Sequence, residues 1–375
     1  MNERRDRFRK AMARFEPSGD PMEALTKGFY VEEPAQSVAK QIVARLELRP
    51  HSSHLVVGPI GSGKTTQLRV MEELLRQGNE FWPIFVDVTT QRDELRAPGS
   101  LIQHLLTEIK DIKSKALVKQ THDGAPGPGL LLFLAALAAL AVLAESNTTS
   151  PEVNEVTLKR EIAAMPQKPV LLIDSLDRLD HLAFATLCKS DLATLREFLA
   201  VVVVGPPAIM YGAARETAEG FDYFARQTAQ DPREDIAARD FLMQVLHARA
   251  DEALLPDPPC EQLVYASGGI LRDLIALTQL ALEEAYVAGH ERVDHRDAVR
   301  AVDTFGRKHI IGLDSNELAT LQRVRTRGTF VRVSDSDVGL LVTRRVLEYA
   351  DEHGATRFAV HPALVPLLEQ LDAPQ

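Results

Sequence analysis

Residues Gly58–Thr65 read GPIGSGKT, and the fold of the chain turns on what these eight residues do. Gly58, Gly61 and Gly63 allow a turn too tight for side chains, which gathers bare backbone N–H groups on one side. Lys64, Thr65 and Thr66 follow at once. That order suits a nucleoside triphosphate. The amides meet phosphate oxygens, the Lys64 ammonium reaches the β- and γ-phosphates, and the Thr65 hydroxyl is placed to ligate Mg²⁺. Pro59, Ile60 and Ser62 complete the loop, and Thr66 assists at the α-phosphate or caps the helix. The flanks agree. HLVV before the loop reads as a buried strand, and Leu68, Met71, Leu74 and Leu75 after it recur at helical spacing. A helix starting at Lys64 also turns the positive end of its dipole toward an anion.

The alternation continues on both sides. Ala35–Leu48 reads as helix, Ser53–Val57 as the strand before the loop, and Lys64–Arg76 as the helix after it. Phe81–Val88, Pro169–Asp174 and Ala200–Val204 read as further strands, with helices over Ser100–Leu117, Val156–Ala164 and around Asp191–Phe198. Strands that are continuous apolar runs alternating with helices predict a parallel sheet covered on both faces. From Pro232 helices dominate: Arg233–Ala250, Cys260–Tyr265, Ile270–Val287 and Asp294–Phe305. Arg345–Ala350 and Arg357–His361 flank the turn ADEHGAT and predict a hairpin. The expected fold class is α/β: a parallel-sheet P-loop core (28–231), an α-helical lid (232–292) and a C-terminal winged-helix-like domain (293–375), after a basic N-terminal helix and linker (1–27).

The second functional stretch is PVLLIDSLDRLDH, from Pro169. Its apolar strand ends in Asp174, where a carboxylate can hold Mg²⁺ through its waters; Asp177, three residues on, is placed to orient an attacking water. The spacing D-S-L-D-R resembles the D-G-L-D-E pattern of STAND-class NTPases, the signalling relatives that include NACHT proteins. AAA+ ATPases carry Asp-Glu at this strand end, the glutamate serving as base, whereas this chain has Ser175 there. The resemblance therefore implies slow hydrolysis, with Asp177 as the candidate carboxylate. SGGILRD, Ser267–Asp273, resembles the sensor 2 region of the origin-recognition and replication-initiator clade of AAA+ ATPases, which implies that Arg272 reaches the γ-phosphate; an interdomain salt bridge is its other reading. After the fourth strand Gly205-Pro206-Pro207 replaces the polar sensor 1 residue of AAA+ proteins, and Arg178, Arg215, Arg233 and Arg239 all stand as candidate arginine fingers. Adenine as the base, and hence ATP, is implied by the resemblance, with Phe29-Tyr30-Val31 as a candidate lining of the base pocket.

Bulk numbers narrow the partners. The chain has 375 residues, 45% apolar and 26% charged, which is ordinary for a globular protein. Its formal net charge of −10 argues against coating duplex DNA and leaves only local basic patches. Such patches occur at Arg323, Arg325 and Arg327, and at Arg344 and Arg345. They suit an interdomain lever or protein contact first and DNA second. The N-terminal stretch, with Arg4, Arg5, Arg7, Arg9, Lys10 and Arg14, reads as a short basic amphipathic helix whose charges form a solvated face, with a partner or nucleic-acid contact as the alternative. Cys188 and Cys260 lack metal spacing and fit a reducing cytoplasm without a structural disulfide. The scattered histidines make no metal site; His51 and His54 are expected at solvent and His361 in a structural role. Gly129–Ala144 carries no polar side chain but is 16 residues long, short of the roughly 20 a bilayer span requires, so it reads as a buried or partner-packing helix and not a membrane span.

The expected function is an ATP-binding, slowly hydrolysing regulatory switch with Mg²⁺, acting by self-association and on a protein effector; the resemblance implies a setting such as bacterial antiviral defence. A DNA-binding AAA+ ATPase of the replication-initiator or DNA-remodelling kind is the alternative, and a non-catalytic nucleotide-dependent scaffold the third reading.

Overall fold

The computed structural model describes residues 2–34, 37–90, 94–110, 150–211, 215–332, 335–350 and 356–372. The apolar stretch Gly129–Ala144 lies outside the described residues, and no described helix is long and apolar enough to cross a membrane. Strands β1 (Ser53–Val57), β2 (Phe81–Asp87), β3 (Lys168–Asp174), β4 (Ala200–Gly205) and β5 (Tyr223–Arg226) form one sheet in the order β2-β3-β4-β1-β5. β3 pairs in parallel with β2, Asp87 opposite Asp174, and with β4, Val170 opposite Ala200. β1 and β4 are buried at every residue, as expected for strands covered on both faces. Two elements go beyond the sequence reading. β5 sits at the edge of the sheet, where half-exposed Tyr223 and Phe224 break the continuous apolar pattern. A helix His181–Lys189 precedes the one at Asp191, started by Asp180, whose carboxylate accepts from the amides of Leu182 and Ala183.

The described chain forms two compact units. The first comprises Met1–Ile42, Val56–Met71 and Ala225–Gln375. Helices Ile236–His247, Asp257–Ala266, Leu271–Val287 and His295–Ile310 share its core through Leu246, Leu263, Leu277 and Phe305. The N-terminal helix Asn2–Met12 joins them through its apolar side, while Arg5, Arg9 and Lys10 stay exposed on the expected solvated face. Phe8, Ala11 and Phe15 are buried, and the Arg4 guanidinium donates to the carbonyls of Ala285, Tyr286 and His290 at the end of helix Leu271–Val287. A cation there adds bonds to the last carbonyls of the helix and meets the negative end of its dipole. Helices Ser315–Arg327 and Asp335–Val342 precede the antiparallel hairpin of β6 (Val346–Ala350) and β7 (Thr356–Val360), completing the expected winged-helix-like end.

The second unit comprises Val43–Leu55 and Glu72–Phe224. Here His54, expected at solvent, is 1% exposed. Its Nε2 lies 2.9 Å from Ser52 Oγ and its ring stacks on Tyr223. Burial, with the Arg45 charge next, holds its pKa down to about 4. The unfolded chain binds this proton near pH 6.5, as a free histidine does at about that value. The group's contribution to stability is thus complete above pH 6.5 and is lost as pH falls toward 4, a change on the order of 3 kcal/mol. Urea melts at stepped pH are expected to show this loss, and His54→Gln should flatten it.

Candidate functional site

The phosphate turn belongs to the first unit. Gly61 has φ +86°, and a Cβ there would stand 2.6 Å from Arg272 Cβ; at Gly58 it would stand 2.2 Å from the Gln227 carbonyl oxygen. The loop is pressed against its neighbours so closely that these positions exclude side chains. Lys64 is buried, and its Nζ donates to the carbonyls of Gly58 at 2.9 Å and Pro59 at 2.8 Å. It opens helix Lys64–Gln77, with Thr65 and Thr66 half-buried in the first turn. Ser62 Oγ is buried with no hydrogen-bond partner among the described residues. A cradle without room for Cβ atoms, an ammonium at its lip and an unmatched hydroxyl fit a phosphate chain.

Arg272 meets that same turn. Ser267 Oγ donates to the Val264 carbonyl and accepts from the Gly269 amide, which shapes the S-G-G turn before helix Leu271–Val287. The Arg272 amide then donates to the Gly61 carbonyl at 3.2 Å. The sequence singled out both elements, and the structure brings them together.

Beside the loop lies a polar group the sequence reading missed. Glu33 accepts from Gln227 Nε2 at 3.1 Å and Gln67 Nε2 at 3.4 Å, and burial pushes its carboxyl above the usual range. Isolated polar residues in three distant segments give no sequence signal. Of the candidate base-lining residues, Phe29 gives its carbonyl and ring to Arg249, and Val31 packs into the lid core. Tyr30 remains beside Glu33, its hydroxyl pKa raised by burial and then by the Glu33 charge.

The second unit carries the acidic strand end. Asp174 is buried, and its Oδ1 accepts from the Ser175 amide at 2.8 Å. Ser175 takes the left-handed conformation, φ 70°, and offers no carboxylate where the AAA+ pattern has glutamate. Asp177 sits half-exposed on a short 3-10 turn, Leu176–Arg178. A further carboxylate emerges at the end of β2. Asp87 stands opposite Asp174 in register, and Thr89 Oγ1 lies 2.6 Å from Asp87 Oδ1 and 2.8 Å from Ser175 Oγ. Partial burial would raise the Asp87 pKa, but the hydrogen bonds from Thr89 and Ser175 and the charge of Arg178 outweigh it and hold it low. Its signal was present: FWPIFVD ends in aspartate as PVLLID does.

One cluster corrects the reading that the histidines form no metal-type group. His290, Asp294 and Asp297 bring ligand atoms within 4.8 Å of one another. Asp294 and Asp297 form the capping box of helix His295–Ile310, and His290 Nδ1 pairs with Asp297 at 2.9 Å, so helix capping accounts for the arrangement.

No protein-family model and no curated protein matches the sequence. Solved structures do. The chain is similar to Cdc6p from Pyrobaculum aerophilum, at 14% identity and TM-score 0.51, over 96% of this chain and 98% of that one. It also aligns with the Aeropyrum pernix ORC2 protein in its ADPNP-ADP complexes, at 12% identity and TM-score 0.46 over 92% of this chain and 96% of that one. The Thermotoga maritima RuvB Holliday junction branch migration motor aligns at 13% identity and TM-score 0.44, over 92% and 99%. The likeness to Cdc6p runs from the P-loop sheet through the lid to the winged-helix-like end, and the chain has the ORC/Cdc6-like AAA+ fold.

Proposed function

We propose that the chain is an AAA+-type ATPase whose bound nucleotide governs how its winged-helix-like domain engages duplex DNA. The observation that supports the nucleotide half best is the seating of Arg272 on Gly61, which sets a second cation beside the turn that Lys64 closes. A γ-phosphate in that turn meets both cations; ADP meets only Lys64. Thr65 and Asp174 are the residues to hold Mg²⁺, which when bound would neutralise charge on the phosphates. Asp177 and Asp87 are the carboxylates available to orient water, and with serine at position 175 slow turnover follows.

The DNA half rests on the winged-helix-like end of the fold and on Arg323, Arg325 and Arg327 toward the end of helix Ser315–Arg327. With a net charge of −10, any attraction to DNA is local and strongly salt-dependent. Duplex binding with a non-hydrolysable ATP analogue at low salt is expected to exceed binding with ADP. The Arg323/Arg325/Arg327 triple alanine variant is expected to weaken it about tenfold or more and to flatten the salt dependence by about one to two phosphate contacts. Absence of nucleotide-dependent DNA binding at low salt would overturn this half.

Ser175 favours a second reading, a switch whose output is a protein effector or a second copy of the chain. Light scattering with ADP and with the ATP analogue, with and without DNA, separates the two: assembly without any response to DNA supports the switch.

A further inference from the structure

Asp273 follows Arg272 on the first turn of helix Leu271–Val287 and is 1% exposed. A carboxylate so buried requires charged or hydrogen-bonding partners. Both come from the ends of the winged hairpin. Arg344, just before β6, donates through Nε to Oδ2 at 2.7 Å and through Nη2 to Oδ1 at 2.9 Å. His361, just after β7, places Nε2 3.5 Å from Oδ2. Its Nδ1 accepts from the Ala363 amide, so the proton sits on Nε2, facing the carboxylate. The His361 amide donates to the Arg345 carbonyl, which ties the two hairpin ends together. The Tyr349 hydroxyl donates to the Gly268 carbonyl at 3.0 Å, gripping the S-G-G turn from the same hairpin.

Arg344 holds this fork from a left-handed backbone, φ 64°, a conformation unfavourable for arginine. Stability alone is a weak reason for such an arrangement, because apolar residues often replace a buried ion pair without loss. A planar fork on a carboxylate does fix direction.

We propose that Arg344 is a positioning residue for nucleotide discrimination: by clamping Asp273 it sets where Arg272 stands over the phosphate turn, so the winged hairpin and the nucleotide share one joint. The proposal rests on Arg272 reading the γ-phosphate, as argued above.

The test measures dissociation constants for ADP and for a non-hydrolysable ATP analogue, with Mg²⁺, together with thermal melts. Arg344→Gln is expected to weaken the analogue about tenfold while ADP stays within about twofold. Arg344→Lys, which keeps the charge without the fork, should recover part of the loss. The double variant Arg272→Ala/Arg344→Gln should lose no more than Arg272→Ala alone, since both act through one group. Equal weakening of both nucleotides with a lowered melt would reduce Arg344 to a structural role and overturn the proposal. So would an additive double variant. Should Arg344→Gln fail to fold, an unchanged analogue-to-ADP ratio in Arg344→Lys overturns it equally. If Arg272→Ala itself leaves the ratio unchanged, the γ-phosphate reading fails first and takes the proposal with it.

Discussion

Lys64→Ala is expected to lower ATP turnover by at least about 100-fold and nucleotide affinity by about tenfold or more, with the fold intact. The turn stays closed by its glycines and its neighbours, and the two carbonyls that Nζ now serves, Gly58 and Pro59, exchange those bonds for water. Each such exchange costs only about 0.5–1.5 kcal/mol. What cannot be exchanged is the positive charge at the phosphates. ADP should lose affinity along with ATP, because Lys64 addresses the β-phosphate as well, whereas Arg272→Ala should spare ADP. Asp174→Asn is expected to reduce turnover comparably at saturating nucleotide, since it weakens the hold on Mg²⁺ and not on the phosphates. Fluorescent-nucleotide titration and phosphate release read both effects. A Lys64→Ala protein that binds ATP as tightly as wild type would end the nucleotide reading.

The largest expected loss of stability comes from one methyl group. Gly269 has φ +77°, and a Cβ there would lie 1.7 Å from the Gln230 carbonyl oxygen. The nearest atoms that the added Cβ would meet there are all Gln230 backbone, so no side chain can swing aside. Gly269→Ala is expected to cost about 3 kcal/mol or more, and a melt lowered by several degrees would report it. Gly289→Ala is the control. Its φ is +84°, but nothing lies within 4 Å of its added Cβ. Only the left-handed conformation is penalised there, by about 1–2 kcal/mol. Equal losses at the two sites would show that the close approach at Gln230 is unimportant.

The phosphate turn and the acidic strand were legible because their chemistry is local. Eight contiguous residues specify the loop, and an apolar run ending in aspartate specifies the strand end. The winged hairpin was legible from its turn residues. Arg272 could be named from S-G-G, but its seat on Gly61 joins segments that only the folded chain brings together. Glu33, Gln67 and Gln227 were passed over for a related reason: each is a single polar residue whose partners lie in other segments, whereas Asp87 closes an apolar run as Asp174 does and was overlooked. His54 was misjudged because histidine is found both at solvent and in cores, and its burial depends on Tyr223, far along the chain. The edge strand β5 escaped because one exposed side erases the apolar run that marked the inner strands.

The docking of the N-terminal helix also bears on the order in which the protein takes shape. Arg4 bonds to a carbonyl 286 positions downstream, and Phe8 and Phe15 enter a core whose other walls reach Phe305. During synthesis this helix therefore emerges long before its partners and must wait, with its aromatic side chains uncovered, until the chain as far as Phe305 has left the ribosome. Contacts of such long range slow folding and prolong exposure of apolar surface, so the first unit is the part of this protein expected to lean most on chaperones.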